Sequence, residues 1–145
     1  MAAKKSNPKY WLVKSEPSSY SWDQLVKDGS TYWDGVRNYQ ARNNLREMQK
    51  GDMVLYYHSN EGLAVVGIAK VIKESYQDPT TDDNRWLVVD IAPVERLANP
   101  VTLETIKANA ALKEMVLVKN SRLSVMPVTQ KEFDTVLALA KKTPK

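Results

Sequence analysis

Residues 51–76, GDMVLYYHSNEGLAVVGIAKVIKESY, predict two neighbouring β-strands. The runs 52–59 and 62–76 are both rich in valine, isoleucine and tyrosine, side chains that favour strands. The residues SNEG at 59–62 are typical of turns and predict a hairpin connection between the strands. Gly67 interrupts the second run, which indicates either a β-bulge or a close approach of another group to the backbone.

Other segments with strand or helix character lie on both sides of this hairpin. The strand-like runs are YWLVK at 10–14, RWLVVDIAPVERL at 85–97 and RLSVMPV at 122–128. Pro93 within the second of these marks an edge strand, a bulge or a strand end. The segments with helical spacing are 20–29, 38–48, 100–112 and 129–142, and the residues expected to cap or stop them are Ser21 with Gln24, Gly29, Asn38, Gly51, Thr102, and Thr129 with Glu132.

These elements predict an α+β fold. We expect about five or six strands, mostly antiparallel and hairpin-connected, with short helices between them and at the end. A sheet of this size tends to curl into a small barrel that removes its edges, and helices then cover the open ends. A ligand would bind at one mouth of such a barrel.

Length and composition indicate one globular domain. A chain of 145 residues can bury a single core without disulfides. We expect the domain to span residues 10–140, with flexible tails at 1–9 and 141–145. The net charge of +4 is compatible with an anionic partner such as nucleic acid, although 17 acidic residues offset much of the basic charge.

Several classes of protein are disfavoured by what the sequence lacks. Without cysteine there can be no disulfide or thiolate site, which suits a cytoplasmic protein, or a nuclear one if the source is eukaryotic. No apolar run is long enough to span a bilayer, so we expect no membrane association. With one histidine, His58, and neither a GxGxxG nor a P-loop motif, we expect no metal and no cofactor. Glu16, Asp34 and Asp52 could form an acid/base pair only if the fold brought them together.

The stretch YWDGVRNYQAR at 32–42 has the side chains of a recognition pocket. Gly35 lets backbone approach a ligand, Arg37 and Arg42 supply forked donors, and Asn38 offers both a donor and an acceptor. Aromatic faces combined with such groups suit a planar heterocycle such as a nucleobase. The alternative is that the aromatic residues fill the core and that the two arginines are buried in scaffold salt bridges.

Four blocks of sequence carry a resemblance to a known family. YWLVKSEPSSYSWDQL, WDGVRNYQARNNLREMQKGDMVLYYHSN, VVGIAKVIKESYQDPT and RLSVMPVT resemble the EVE domain, a member of the PUA-like group, in order and over nearly the whole chain. The resemblance implies a PUA-like pseudo-barrel with flanking helices. It also implies binding of DNA or RNA that contains a modified base, with the base turned out of its stack into an aromatic-lined pocket.

The resemblance also implies which residues form the site. They are Trp11, Lys14, Ser15, Glu16, Trp33, Gly35, Val36, Arg37, Asn38, Tyr39, Arg42, His58 and Arg122. In this interpretation Trp33 and Tyr39 stack on the base; Ser15, Asn38 and His58 contact its edge; and Lys14, Arg37, Arg42 and Arg122 contact phosphate or the polar rim.

Three functions stay open from the sequence. The first is a non-catalytic reader of a modified base, methylated or hydroxymethylated. The second is an enzyme acting on a nucleotide-like heterocycle, with Glu16, Asp34 and His58 as acid/base groups. The third is a binder of a free metabolite. The sequence does not determine which base is read, whether the polymer is DNA or RNA, or the oligomeric state.

Overall fold

A computed structural model of the 145-residue chain describes residues 9–16, 18, 20–34, 36–59, 62–120 and 122–141. Most of the two expected tails, residues 1–8 and 142–145, lies outside the described residues, and so do Gly35 of the expected site and the two central residues of the 59–62 turn. The limits of the single domain therefore stay a prediction.

The described residues form one six-stranded sheet and five α-helices. The strands are β1 (Tyr10–Ser15), β2 (Thr31–Tyr32), β3 (Met53–His58), β4 (Ala64–Gln77), β5 (Leu87–Thr102) and β6 (Val125–Val128). Their order in the sheet is β2-β5-β4-β3-β1-β6, and every pair is antiparallel except β1 with β3. The expected α+β pseudo-barrel, mostly antiparallel, is confirmed; the sheet stays open, with β2 and β6 at its edges.

Four of the five helices lie where the capping residues predict them. They are α1 (Trp22–Asp28), α2 (Tyr39–Glu47), α3 (Leu103–Ala108), α4 (Val116–Lys119) and α5 (Gln130–Lys141), with a 3₁₀ turn at Ala110–Leu112. The side chains of Ser21, Asn38 and Thr129 accept hydrogen bonds from the first turns of α1, α2 and α5. The expected helix at 100–112 is shorter, because β5 continues to Thr102 before α3 begins. Two short elements, β2 and α4, were not predicted from the sequence.

The central hairpin contains the irregularity expected at Gly67. The register of β3 with β4 shifts between Tyr56 and Tyr57, so that Gly67 and Val65 are the consecutive partners and Val66 bulges. A β-carbon at Gly67 would lie 2.6 Å from ring atoms of the buried Trp22. The position is therefore both a bulge and a close approach, because the indole of α1 packs directly on the strand.

A second bulge lies at Pro93. Ala69 and Ile68 of β4 pair with Pro93 and Glu95, so that Val94 is left over. The partner strand β2 pairs with β5 only at Asp90 and Ile91. Pro93 therefore lies at a bulge and beyond the β2 pairing, two situations in which a strand tolerates a residue without an N–H.

The parallel pairing of β1 with β3 determines where loops meet. Ser15 lies beside His58 at one end of the pair and Tyr10 beside Met53 at the other. Strand β6 runs antiparallel along the other side of β1, with Val125 beside Val13. The chain segments that follow β1 and β3 and precede β6 therefore converge at one end of the sheet.

A buried carboxylate holds the opposite end of this pair. Asp52, with none of its surface exposed, accepts hydrogen bonds from the indole Nε1–H of Trp11 at 2.9 Å and from the backbone N–H groups of Lys9 and Gln49. The backbone carbonyl of Asp52 also accepts from the N–H of Val71 in β4. One residue thus connects β1, the α2–β3 turn and β4.

Replacing Gly67 by alanine tests the close approach of Trp22. We expect Gly67→Ala to lower the free energy of unfolding by about 1–3 kcal/mol, because the added methyl group overpacks a buried indole. Urea unfolding of Gly67→Ala in the wild-type and Trp22→Phe backgrounds measures this. The cost should shrink in the second background, since the smaller ring leaves room; equal costs in both would contradict the proposed contact.

Replacing Asp52 tests the carboxylate that connects three elements. We expect Asp52→Asn to destabilise the fold by about 1–3 kcal/mol, since an amide offers one acceptor oxygen where donors approach both carboxylate oxygens. Asp82→Asn, the same chemical change at an exposed position, is the matched control and should be nearly neutral. Equal unfolding free energies for the two variants would show that the Asp52 contacts do not determine stability.

Candidate functional site

A cavity of about 620 Å³ lies at the end of the sheet where the loops converge. Its lining comes from the end of β1, the turn before α1, β2 with the loop that follows it, the residue after β3, and the segment before β6. The lining residues are Lys14, Ser15, Glu16, Tyr20, Thr31, Trp33, Asp34, Val36, Arg37, Ser59, Arg122 and Ser124.

Backbone hydrogen bonds hold these segments together. The N–H of Lys14 donates to the carbonyl of Ser124 at 3.0 Å, and the N–H of Ser59 donates to the carbonyl of Ser15 at 2.9 Å. The N–H of Trp33 donates to Val89 of β5 at 2.8 Å. The walls of the cavity are therefore anchored to β1 and β5, which makes the opening part of the folded sheet.

Aromatic rings form one wall of the cavity. Trp33 has 8% of its surface exposed and meets Tyr20 and Tyr56 edge to face, with ring centroids 6.4 and 5.5 Å apart. The hydroxyl groups of Tyr56 and Ser15 both donate to the carbonyl oxygen of Tyr20, at 2.7 and 2.8 Å. This shared acceptor fixes the turn that brings Tyr20 to the cavity.

Tyr20, which lines the cavity, and the buried Tyr56, which packs on Trp33, both stay neutral at physiological pH. Burial raises the pKa of Tyr56 well above its usual value. Burial and, as a smaller cause, the hydrogen bond to Asp28 raise the pKa of Tyr20 to about 12. The wall therefore presents neutral rings, and its hydroxyl groups act as donors within the protein.

Three basic side chains border the cavity, Lys14, Arg37 and Arg122. Burial lowers the pKa of Lys14, whose ammonium nitrogen lies 5.9 Å from the centroid of the Tyr57 ring. Two carboxylates, Glu16 and Asp34, line the same cavity. The opening thus combines cationic and anionic groups around the aromatic wall.

Arg37 is held in place by contacts outside the cavity. Its Nη1 donates to the buried carboxylate of Asp78 at 3.1 Å and to the carbonyl of Val36. Its guanidinium carbon lies 5.5 Å from the centroid of the Trp86 ring. Arg37 therefore forms the expected scaffold ion pair but is not buried in it, because 41% of its side chain is exposed and the residue lines the cavity.

The structure brings seven of the expected site residues to the cavity lining. They are Lys14, Ser15, Glu16, Trp33, Val36, Arg37 and Arg122. They come from three separate parts of the sequence. Gly35 falls outside the described residues.

Five other expected residues lie outside the lining. Trp11 is buried with its indole on Asp52. Asn38 caps α2, since its Oδ1 accepts from the N–H of Ala41. Tyr39 stacks on Trp86, and Arg42 lies over the Tyr39 ring.

The remaining one, His58, is engaged with helix α1. Its Nε2 accepts from the backbone N–H of Trp22 at 3.0 Å, which requires the neutral ring with its proton on Nδ1. Its ring also meets that of Tyr56 edge to face, 5.9 Å away. Tyr56 and His58 share a face of β3, as the strand alternation predicts.

The lining also contains four residues that the expected list of site residues did not include. Thr31, Ser59 and Ser124 bring polar side chains, and Tyr20 brings a ring. Ser59 and Ser124 lie within blocks that carry the resemblance, which places both segments beside the pocket, whereas Thr31 reaches the cavity through the pairing of β2 with β5. Tyr20 lies next to Ser21, the cap of α1. The one feature of the sequence that could have placed Tyr20 in the site is its position in an aromatic-rich segment.

Among the described residues, no group of three or more histidine, aspartate or glutamate side chains is arranged to hold a metal ion. In the same part of the chain, no helix has the length and apolar character needed to cross a bilayer.

Comparison with known proteins identifies the family. The family model described as the EVE domain matches residues 9–139. The chain belongs to the EVE-domain family. It is 37% identical to human thymocyte nuclear protein 1 over an alignment of 169 residues, which covers 93% of this chain and 75% of the human protein.

Solved structures of other proteins have the same architecture as this EVE domain. A crystal structure of a protein from Agrobacterium tumefaciens is 46% identical, with a TM-score of 0.90, and covers 94% of this chain and 99% of that one. The human THYN1 protein, crystallised in complex with DNA containing 5-methylcytosine, is 36% identical with a TM-score of 0.87, covering 94% and 99% of the two chains. A YTH domain from Zygosaccharomyces rouxii, 13% identical with a TM-score of 0.63 and covering 100% and 94%, shares the fold alone.

The His58 contact predicts how stability of this EVE domain depends on pH. Burial is the main reason that the pKa of His58 lies below its ordinary value of 6.5, with Arg96 acting in the same direction and Asp23 opposing it. The unfolded chain therefore binds a proton before the folded one does, and stability should fall as pH drops below about 6.5. Above that pH this contribution is fully present.

Unfolding free energies measured in urea from pH 7.5 to pH 5 check this expectation. His58 is the only histidine in the chain, so the unfolding free energy of the His58→Gln variant should change less with pH over this range. Glutamine also keeps an acceptor for the Trp22 N–H. Parallel pH profiles for the variant and the wild type would rule out His58 as the titrating group.

Proposed function

We propose that this EVE domain is a non-catalytic reader of nucleic acid that accommodates a modified base in the cavity beside Trp33. The proposed functional unit is the single domain at 10–140. The observation that carries the proposal is one cavity that combines an aromatic wall with polar groups and three basic side chains, Lys14, Arg37 and Arg122. Stacking, edge contacts and charge neutralisation are the three contributions that binding of an unstacked nucleotide needs.

The size of the cavity supports a ligand no larger than a nucleotide. Its volume of about 620 Å³ falls within the range of about 300–1,000 Å³ that is typical of small-molecule sites. Ser59 and Ser124 line the cavity with hydroxyl groups that can donate to or accept from a base edge, and the hydroxyl of Ser15, which donates to Tyr20, can accept. A base in contact with an aromatic ring gains about 1–3 kcal/mol, which offsets the few kcal/mol needed to unstack it from a duplex.

The human relative suggests the chemical class of the base. THYN1 was crystallised with DNA that contains 5-methylcytosine, and the two chains share their fold over nearly their whole length. We therefore propose that the base read by this domain is a pyrimidine substituted at C5, methylated or hydroxymethylated, in DNA or RNA.

The arrangement supports an enzyme less well. Glu16 and Asp34 line the cavity, but His58, the third group of the acid/base hypothesis, is engaged with the backbone of Trp22. An acid/base mechanism would then depend on two exposed carboxylates. Among the residues that the structure describes, neither carboxylate has a hydrogen-bonded partner of the kind that orients a catalytic base.

Filling the cavity tests the proposal without removing charge. We expect Ser124→Trp to abolish the preference for a modified base, because the indole would occupy the space that the base needs. Residual binding should remain, because Lys14, Arg37 and Arg122 are untouched. The measurement is fluorescence anisotropy at fixed salt, with matched oligonucleotides that carry cytosine, 5-methylcytosine, 5-hydroxymethylcytosine, adenine or N6-methyladenine.

The matched control introduces the same side chain elsewhere. Ala138→Trp, at an exposed position of α5 outside the cavity, should keep the wild-type preference. We expect the wild type to prefer one modified base by at least about tenfold, or about 1.4 kcal/mol. A wild type that binds all oligonucleotides alike, a Ser124→Trp variant that still discriminates, or conversion of the bound base to a product would contradict the reader function.

A further inference from the structure

We propose that the solvent-facing side of helix α2 binds the phosphodiester backbone that flanks the base in the cavity. This inference rests on the proposed function and extends it from the base to the neighbouring phosphates. The surface, which we call the α2 arginine face, consists of Tyr39, Arg42, Asn43 and Arg46.

Helical spacing places these four residues together. They are separated by three, one and three positions, which corresponds to one face of an α-helix. All are exposed or half-buried, whereas Ala41 and Leu45 on the other side of α2 have no exposed surface. The polar face therefore stays open to solvent while the apolar face packs on the core.

A continuous series of stacked groups connects this face to the cavity. Arg37 lines the cavity and lies over the ring of Trp86. Trp86 in turn stacks on Tyr39, with ring centroids 5.2 Å apart and planes inclined by 26°. The guanidinium carbon of Arg42 lies 5.2 Å from the centroid of the Tyr39 ring. A strand leaving the cavity past Arg37 would meet Arg42 next.

The arginines along this series differ in whether their positive charge is paired with a carboxylate, which matters for binding a phosphate. Arg37 is paired with Asp78, and Arg85, beside Tyr39, is paired with Asp83. Arg42 instead donates to neutral oxygens, the side-chain oxygen of Asn43 and the backbone carbonyl of Arg85.

Arg42 and Arg46 therefore supply positive charge that an anion can use. Within the described part of the chain, neither forms an ion pair with a carboxylate. The one acidic residue of α2 is Glu47, so the helix carries a net charge of +1. A phosphate placed between the two arginines would neutralise charge that no ion pair among the described residues compensates.

Arg42 is also held in an orientation that favours binding. The Tyr39 ring lies beneath its guanidinium, and the bonds to Asn43 and Arg85 fix the group at both Nε and Nη1. Among the described residues no acceptor bonds to Nη2, and little side-chain entropy would be lost when its donors contact a phosphate. Tyr39 thus orients an arginine outside the cavity, a different role from the stacking on the base that the sequence suggested.

The test separates phosphate contacts from base recognition. We would measure the dissociation constant at several salt concentrations for the wild type, for Arg42→Gln with Arg46→Gln, and for Arg46→Gln alone. The oligonucleotides carry either 5-methylcytosine or cytosine and are prepared as DNA and as RNA, which distinguishes the two sources of phosphate. The charge-matched control is Lys107→Gln with Lys131→Gln, on α3 and α5 and outside the cavity lining.

The expected result is a loss of salt dependence without a loss of selectivity. Removing two phosphate contacts should reduce the slope of log K against log salt by about 1.8 for duplex DNA, and removing Arg46 alone by about 0.9. The ratio of affinities for modified and unmodified oligonucleotides should stay within about twofold of the wild-type ratio, since phosphate contacts carry no base information. Arg46→Gln changes one exposed residue, so its slope still tests the phosphate contact if the double variant folds poorly.

Two results would overturn the inference while leaving the proposed function intact. One is a double arginine variant whose slope of log K against log salt equals that of the lysine control. The other is a collapse of the selectivity ratio in Arg46→Gln, which would place α2 in base recognition. Conversely, a wild type without selectivity whose slope still falls in the arginine variants would overturn the reader function and support the α2 arginine face as a phosphate contact.

Discussion

The carboxylate of Asp52 is the contact on which the rest of the architecture depends. It joins the indole of Trp11 in β1 to the backbone at the start of β3, so it fixes the register of the one parallel pair in the sheet. Trp11, Leu12 and Val13 are all buried, so β1 packs on both of its faces, and a shift of β1 by one residue would exchange the side chains between the two faces. The same register sets Ser15 beside His58 at the other end, which is where the cavity opens.

The cavity follows from this register and from the short strand β2. Because β1 and β3 run in the same direction, the residues after both strands leave the sheet at one end. Strand β2 pairs with β5 over only two residues, and this pairing is enough to carry Trp33 back across the opening. The aromatic wall is therefore built from a tertiary contact between distant segments, and its rings are held edge to face by Tyr56 of β3.

Electrostatics divide the surface around the opening into two parts. At the cavity, cations and carboxylates alternate around neutral rings, which suits a polar and uncharged ligand such as a base. Along α2, positive charge stands without a paired carboxylate in the described residues, which suits a phosphate. The stack of Trp86 on Tyr39 connects the two parts and holds the loop before β5 against the helix. A reader of modified nucleic acid needs both: a site that distinguishes bases and a surface that holds the polymer without regard to sequence.

The sequence by itself determined the local elements and the family, and the tertiary structure decided the geometry of the site. Ser21, Asn38 and Thr129 mark the starts of helices because capping is a contact within one turn, and Gly67 marks a bulge because its neighbours are strongly strand-forming.

The parallel pairing of β1, the pairing of β2 with β5, and the separation of Tyr39 and Arg42 from the cavity are contacts between residues far apart in the chain. No local pattern encodes them. The block at 32–42 reads as one motif in the sequence, yet the start of α2 divides it, so that Trp33 and Arg37 face the cavity while Tyr39 and Arg42 face solvent and the loop before β5. Residues 33–37 precede the helix and Asn38 is still extended, whereas Tyr39 and Arg42 lie three apart on one side of α2. This change of backbone conformation at Asn38 is the physical reason that one motif serves two surfaces.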